Sequence, residues 1–412
     1  MSEAAGRSSG NGADTSVYAR FGVRRIVNAA GPVTRLGGNR LAPEVAAAMA
    51  EAAQSHVQID ELQERASVVL AAATGAEAGL VTSGAEAGLL LGTAACLAGF
   101  DPRKMDDLPF VHDGRNAIVV QRGHRNAYDH SIRAAGAVFV EVGYLGAPGQ
   151  GIHYAWQIEA AITPQTVAIA CPVMDTPGTV SLPDVVEIAH RHGLPVIVDA
   201  AASLPPRANL RRFIQEGADL VAFSGGKAIG GPQGSGLLVG RRDLIESARL
   251  QMLDMDVYPE VWRSGRGYLS SGRLPGPPHH GIGRSCKVGK EQVVGLLLAL
   301  ERYLAHDEAA ELAAQAARVY RLAEVLDGLR GIRCNLTRPP CGVPKAEVWI
   351  DHELLGISAF DVIEALETGD PAVFVSQGLG PRGGLVINPM TLADGEERIV
   401  ADRIIEVVRQ AG

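Results

Sequence analysis

Between about residues 78 and 240 the chain alternates short apolar runs with amphipathic stretches of helical period. The apolar runs lie at 79–81, 117–120, 137–141, 167–171, 195–198, 220–223 and 237–239, and Val, Ile, Leu and Ala dominate them. Runs with so few polar interruptions read as strands covered on both faces. Helical patterns fill the gaps at 86–98, 127–135, 158–162, 183–192 and 210–216. Strand, helix, strand in this rhythm predicts an α/β fold: a mainly parallel seven-stranded sheet with helices on both faces. Upstream, helices are expected at 43–54 and 63–74, the second closed by Gly75. Downstream, 290–321 reads as one long helix, apolar on one face from 292 to 304. A smaller α+β C-terminal domain follows, with strands at 346–351, 372–376 and 384–387 and helices at 358–367 and 394–410. Acids at Asp394, Glu396 and Glu397 suit the first turn of the last helix, and Ser358 with Asp361 suggests a cap.

This pattern divides the chain into a tail at 1–20, a large domain at 21–289, and a linking helix with a small domain at 290–412. The tail is rich in Ser, Gly, Ala and Asn and reads as disordered. A length of 412 residues suffices for two domains with sizeable cores. Composition is ordinary for a globular protein, 47% hydrophobic and 20% charged. A net charge of −8 leaves no basic footprint for nucleic acid or an anionic membrane. Five scattered cysteines show no paired metal spacing and suggest reduced thiols in a cytoplasm. No apolar run reaches membrane-spanning length without Gly or charge, and the N-terminus lacks a basic-then-apolar signal.

The chemistry concentrates at 218–240. Strand 220–223 ends in Ser224, two glycines follow, and then Lys227 stands alone in a stretch with no other charge from Ser224 to Gly240. A lysine held between buried strands loses solvation, which lowers its pKa and frees its amine to attack a carbonyl. Pyridoxal phosphate is the aldehyde that such lysines most often hold, and it needs three further anchors. A carboxylate for the ring nitrogen is available at Asp199, at the carboxyl end of strand 195–198, where ligands collect in open α/β sheets. A phosphate cradle is available at Thr82-Ser83-Gly84-Ala85, immediately before an apolar helix whose N-terminus favours a dianion. His124, after strand 117–120, is placed to cover the ring.

Taken singly, each anchor has a plainer reading. Asp199 serves equally as a cap or a solvated strand end, Ser83-Gly84 as an ordinary N-cap, and His124 as a structural histidine. Asp175, at another strand end, is placed either to touch the cofactor's phenolic oxygen or to form a turn before Thr176-Pro-Gly. The glycine-rich loop after Lys227 matches neither the P-loop nor the dinucleotide fingerprint. Arg263, Arg266, Arg273 and Arg284 lie in a loop-like stretch from 254 to 290, where one or two are expected to meet a substrate carboxylate or phosphate. His279-His280 has no acid or cysteine spaced to complete a metal site, so no metal is expected.

Phe223-Ser-Gly-Gly-Lys-Ala-Ile-Gly-Gly-Pro-Gln233 resembles the lysine segment of fold-type I pyridoxal phosphate enzymes of the selenocysteine synthase (L-seryl-tRNA selenium transferase)-related family. Asn28-Ala-Ala-Gly31, Leu36-Gly-Gly38, Leu41-Ala-Pro-Glu-Val45, His124-Arg-Asn-Ala-Tyr-Asp129 and Ile387-Asn-Pro-Met-Thr-Leu392 are similar to other segments of it. The resemblance runs from about residue 20 to 410. It implies Lys227 as the Schiff-base lysine, Asp199 on the ring nitrogen, and Ser83, Gly84, Ala85 and Ser224 near the phosphate. His124 is implied on the ring. It also implies a homodimer or larger homo-oligomer.

The activity it favours is α,β-elimination, with release of ammonia and a 2-oxo acid from an amino acid or an amino-sugar acid such as D-glucosaminate 6-phosphate. Lys227 would act as the general base at the α-carbon. Two alternatives stay open: a selenium transferase acting on seryl-tRNA, and a racemase, aldolase or aminotransferase on the same scaffold. The acidic chain and the short segment before the shared region weigh against the tRNA reading.

Overall fold

The computed structural model describes residues 16–146, 150–174, 176–254, 258–339 and 342–411. In chain order its strands are β1 (Val27–Ala29), β2 (Ala78–Thr82), β3 (Ala117–Gln121), β4 (Val138–Val142), β5 (Tyr144–Leu145), β6 (Gly151–Ile152) and β7 (Thr166–Ala170). They continue with β8 (Val196–Asp199), β9 (Leu220–Ser224), β10 (Gly236–Gly240), β11 (Ile332–Thr337), β12 (Lys345–Ile350), β13 (Val373–Val375) and β14 (Gly384–Ile387). By their contacts the described residues form two compact units, one built on those within 32–313 with 339 and 342–343, the other on 16–31, 314–338 and 344–411.

The larger unit holds a seven-stranded sheet in the order β2-β10-β9-β8-β7-β3-β4. Its seven strands are those expected from the apolar runs. Neighbours from β9 across to β4 pair in parallel, while β10 runs antiparallel to both β2 and β9. Successive strand residues point to opposite faces, and both faces are buried in every strand but the edge strand β4. In β9, for example, Val221 and Phe223 enter one apolar core while Leu220 and Ala222 enter the other. The unalternating apolar runs follow from this double burial.

Helices Pro43–Ala53, Ile59–Thr74, Leu182–Arg191 and Lys290–Ala305 cover the first face. Ala85–Ala98 and Arg242–Leu250 cover the second. Helix Ala85–Ala98 is apolar nearly all round because it is buried nearly all round.

The structure departs from the sequence reading in several places. The expected helix at 290–321 is two helices, Lys290–Ala305 and Glu308–Leu326. His306 is extended, and the Asp307 carboxylate accepts the Ala309 and Ala310 N–H groups at 3.0 and 3.1 Å, starting a new helix. Val293, Leu296, Ala299 and Leu300 join the same core as Val45 and Leu70, so Lys290–Ala305 packs in the larger unit rather than with the C-terminal part. Within the expected tail, residues 1–15 lie outside the described residues, while Val17–Arg20 is a helical turn capped by the Ser16 hydroxyl.

The smaller unit has an antiparallel sheet β11-β12-β14 and a separate parallel pair, β1 with β13. Helices Ala359–Thr368 and Glu396–Ala411 complete its core. Ser358 and Asp361 form the expected capping box. β11 escaped the sequence reading because its exposed face carries Arg333 and Asn335, which break the apolar run. Among the described residues no helix is long and apolar enough to cross a membrane.

Candidate active site

The parallel strands deliver their carboxyl ends to one edge of the sheet, where peptide N–H groups and loop residues are free to meet a ligand. Asp199 is the last residue of β8, Ser224 the last of β9 and Thr82 the last of β2. His124 ends the short turn that follows β3.

Lys227 sits in the turn after β9, and its backbone is held from several sides. The Gly230 N–H and the Asn39 amide donate to the Lys227 carbonyl at 3.0 and 3.2 Å, and the Asn39 N–H donates to the Gly226 carbonyl at 3.1 Å. Gly38 must be glycine: its φ is +73°, and a Cβ there would lie 2.8 Å from the Gly226 oxygen. Burial pulls the Lys227 amine below the ordinary lysine range, against the attraction of Asp199. Burial pushes the half-buried Asp199 carboxyl up. The Ala201 N–H, donating at 3.0 Å, and the charge of Lys227 pull it back down, while Glu86 and Asp129 repel its ionised form. Amine and carboxylate therefore sense one another at this edge.

The cradle rests on Gly236. This residue opens β10, pairs with Thr82 on one side and with Ser224 on the other, and lies beneath Gly84. A Cβ at Gly236 would come within 2.4 Å of the Gly84 carbonyl carbon and 2.7 Å of the Ala85 nitrogen. Gly84 itself has φ +108°, ψ 166° and precedes the fourteen-residue helix Ala85–Ala98. The first turn of that helix leaves N–H groups without intrahelical partners. The Ser224 hydroxyl stands two strands away, about 10 Å by sheet spacing. The Ser83 hydroxyl is already engaged, donating to the Cys286 carbonyl at 2.9 Å. Backbone N–H groups and Ser224 are therefore the ready donors for a phosphate.

His124 is 4% exposed, and its Nδ1 has no partner among the described residues. Burial, and then the neighbouring His153, lower its pKa to about 4, so the ring is neutral. A neutral, desolvated imidazole with one idle nitrogen suits a flat aromatic partner. The donor set as a whole fits pyridoxal 5'-phosphate: a depressed lysine, a facing carboxylate, a helix N-terminus made accessible by Gly84 and Gly236, and a buried neutral histidine. The same edge brings together Lys227, Asp199, Ser83, Gly84, Ala85, Ser224 and His124. Asp175 lies outside the described residues.

The arginines behave differently. Arg273 pairs with Glu246 at 2.6 Å and lies over the Phe100 ring at 3.6 Å from its centroid. Arg284 pairs with Asp254. Both are thus engaged in local structure, while Arg263 and Arg266 are exposed. His279 pairs with Asp106 at 3.0 Å and His280 with Asp254 at 2.9 Å, so the two histidines face different acids. No cluster of three metal-ligating side chains occurs among the described residues. The sequence reading missed Asn39, which braces the lysine turn, and Gln233, whose amide donates to the Thr34 carbonyl at 2.7 Å. Asn39 was signalled only by its place after Gly37-Gly38, and Gln233 only by closing the lysine segment.

Comparison with known proteins points to the same cofactor. Residues 104–254 match the aminotransferase class-V family. The chain is 30% identical to D-glucosaminate-6-phosphate ammonia lyase of Salmonella typhimurium, over 96% of this chain and 99% of that one. A solved structure of a D-glucosaminate-6-phosphate ammonia-lyase superposes with a TM-score of 0.81, covering 97% of this chain and 99% of the other at 30% identity. The 5'-C-glycyluridine monooxygenase-decarboxylase of a Streptomyces species is 33% identical over 94% of this chain and 91% of its own. The L-seryl-tRNA(Sec) selenium transferase of Solidesulfovibrio magneticus is 32% identical, over 56% of this chain and 51% of its own. The chain belongs to the fold-type I, pyridoxal 5'-phosphate-dependent enzyme family related to selenocysteine synthase, the one that holds D-glucosaminate-6-phosphate ammonia lyase.

Proposed function

We propose that the chain is a lyase that eliminates across the α- and β-carbons of an amino acid or amino-sugar acid such as D-glucosaminate 6-phosphate. The observation that carries this reading is a depressed Lys227 amine within the electrostatic reach of Asp199, beside a helix N-terminus opened by glycines, in a chain alike over 96% of its length to an ammonia lyase. When bound, pyridoxal phosphate supplies an electron sink for the pair left at the α-carbon.

The rest falls to the protein's own groups. Lys227, whose ammonium form burial disfavours, takes the α-proton. Asp199 would hold the proton of the cofactor's ring nitrogen; the Ala201 N–H and the charge of Lys227 already favour its ionised form against its burial. The N–H groups of the Ala85 turn and the Ser224 hydroxyl would hold the phosphate. His124 would cover the ring without competing for a proton, because its pKa is low. The α-proton goes to Lys227, whose ammonium returns a proton to the departing β-hydroxyl, so that one water leaves and the amine is restored. The enamine then takes up water and yields ammonia and a 2-oxo acid.

The reading includes a cytoplasmic homo-oligomer acting on a small molecule, with no nucleic-acid or membrane partner. The acidic balance and the free cysteines Cys96, Cys171, Cys286 and Cys334 support it. The test is an assay of purified protein loaded with pyridoxal phosphate on D-glucosaminate 6-phosphate and on D- and L-amino acids. Equal release of ammonia and a 2-oxo acid, lost in Lys227→Ala, is expected. Racemisation, amino transfer without ammonia, or oxygen-dependent release of carbon dioxide would assign a different fate to the same α-carbon chemistry.

A further inference from the structure

We infer that His153 is a positioning residue: its imidazole fixes the Gly123–His124 turn, and through it the orientation of the His124 ring toward the cofactor. His153 follows β6 and is 7% exposed. Its Nε2 accepts the Gly123 N–H at 3.1 Å. Its Nδ1 lies 3.3 Å from the Gly178 carbonyl, which also takes the His153 N–H at 3.1 Å. An acceptor at Nε2 and a carbonyl facing Nδ1 leave one arrangement, the neutral ring with its proton on Nδ1.

The pocket around the ring is built from residues without side chains. A Cβ at Gly143 would lie 2.0 Å from the His153 Cδ2, one at Gly151 2.3 Å from Cε1, and one at Gly123 3.0 Å from Cε1. Contacts below 3 Å require something to shift, so Gly143 and Gly151 have the shape this ring demands. The other polar group of Gly123 is claimed as well: the Thr176 hydroxyl donates to its carbonyl at 3.2 Å. Both backbone groups of the residue before His124 are thus gripped by side chains from distant segments.

The His124 side chain has no equivalent grip on its Nδ1. With that nitrogen unpartnered, ring orientation depends on the backbone and on packing, and the backbone is what His153 holds. This inference rests on the reading of His124 as the ring-covering residue, so the test separates the two.

The experiment titrates apo-protein with pyridoxal 5'-phosphate, reading affinity by fluorescence quenching and cofactor orientation by visible circular dichroism. Wild type is compared with His153→Leu, His153→Gln, His124→Ala and the double variant His153→Leu/His124→Ala. His153→Leu leaves the half-buried Gly123 N–H without its acceptor and is expected to weaken binding about tenfold and to reduce the visible signal. His153→Gln, whose amide oxygen replaces Nε2, is expected to stay within about threefold of wild type. In the His124→Ala background, His153→Leu is expected to add little, because its route to the cofactor is already gone.

Should His153→Leu fail to fold, Thr176→Val releases the opposite side of Gly123 and is expected to shift affinity and signal in the same direction. A change with His124→Ala but none with His153→Leu or Thr176→Val would overturn the role of His153. Full additivity in the double variant would overturn it too. No change with His124→Ala itself would instead remove the ring-covering role on which the inference stands.

Discussion

At the scale of single residues, the site is a set of groups whose charges are set by burial. Asp199 and Lys227 shift in opposite directions for the same reason, loss of solvent, and each partly restores the charged form of the other. Asp199→Asn removes the only one of the two that can hold a proton on the ring nitrogen electrostatically. It is expected to lower kcat by roughly 10²-fold or more with a smaller change in KM, read by steady-state 2-oxo acid release. His124 carries a stability signature. Its folded pKa of about 4 lies below the unfolded value of 6.5, so the unfolded chain binds the proton first as pH falls. Its contribution is intact above about 6.5 and is lost progressively toward pH 4, by up to roughly 3 kcal/mol. Thermal melts of His124→Gln should show a shallower loss of Tm across that window than wild type. An unchanged slope would mean that His124 is not buried neutral.

At the scale of elements, the decisive feature is the row Thr82–Gly236–Ser224. β10 runs against its neighbours and brings a glycine to the one place where the helix N-terminus must come down onto the sheet. Gly236→Ala forces a Cβ against the Gly84–Ala85 backbone rather than against a flexible side chain. An overpacking cost of about 1–3 kcal/mol is expected, visible in denaturant melts, together with weaker pyridoxal phosphate binding as the cradle lifts. The seven strands of the sheet were legible because residues buried on both faces leave unbroken apolar runs. The antiparallel course of β10 was not, because direction leaves no mark on such a run. The break at His306–Asp307 was overlooked because apolar helical spacing continues across it, and only the Asp307 cap marks the restart. The hairpin β5–β6 was missed for a different reason. Its strands are two residues long, and a period of two cannot be read from two residues.

At the scale of the whole molecule, every described group assigned to the cofactor falls within residues 32–313, the larger unit. A ligand that binds only the folded form stabilises what it touches, by about 2.7 kcal/mol at a hundredfold excess over Kd. Hydrogen exchange with and without pyridoxal phosphate is expected to show added protection at 84–88, 122–125, 197–201 and 224–231. β11, β12 and β14 are expected to exchange as before. Equal protection of both units would mean that the cofactor orders the entire chain rather than its seat.

The sequence by itself determined the strand–helix alternation and the seven strands, and it marked a lysine, an aspartate, a histidine and a serine–glycine turn as candidates for the site. These are legible because burial and strand ends impose local composition: apolar runs for the strands, and an isolated polar residue where each run stops. Only the tertiary structure decided which of these residues share an edge, that Gly236 exists to admit the helix, and that the Ser83 hydroxyl is spent on Cys286. It also decided that Asn39 braces the lysine turn and that His153 grips Gly123 from about thirty residues away. Such contacts are set by close approach between segments distant in the chain, and close approach has no period, propensity or spacing that a linear sequence displays.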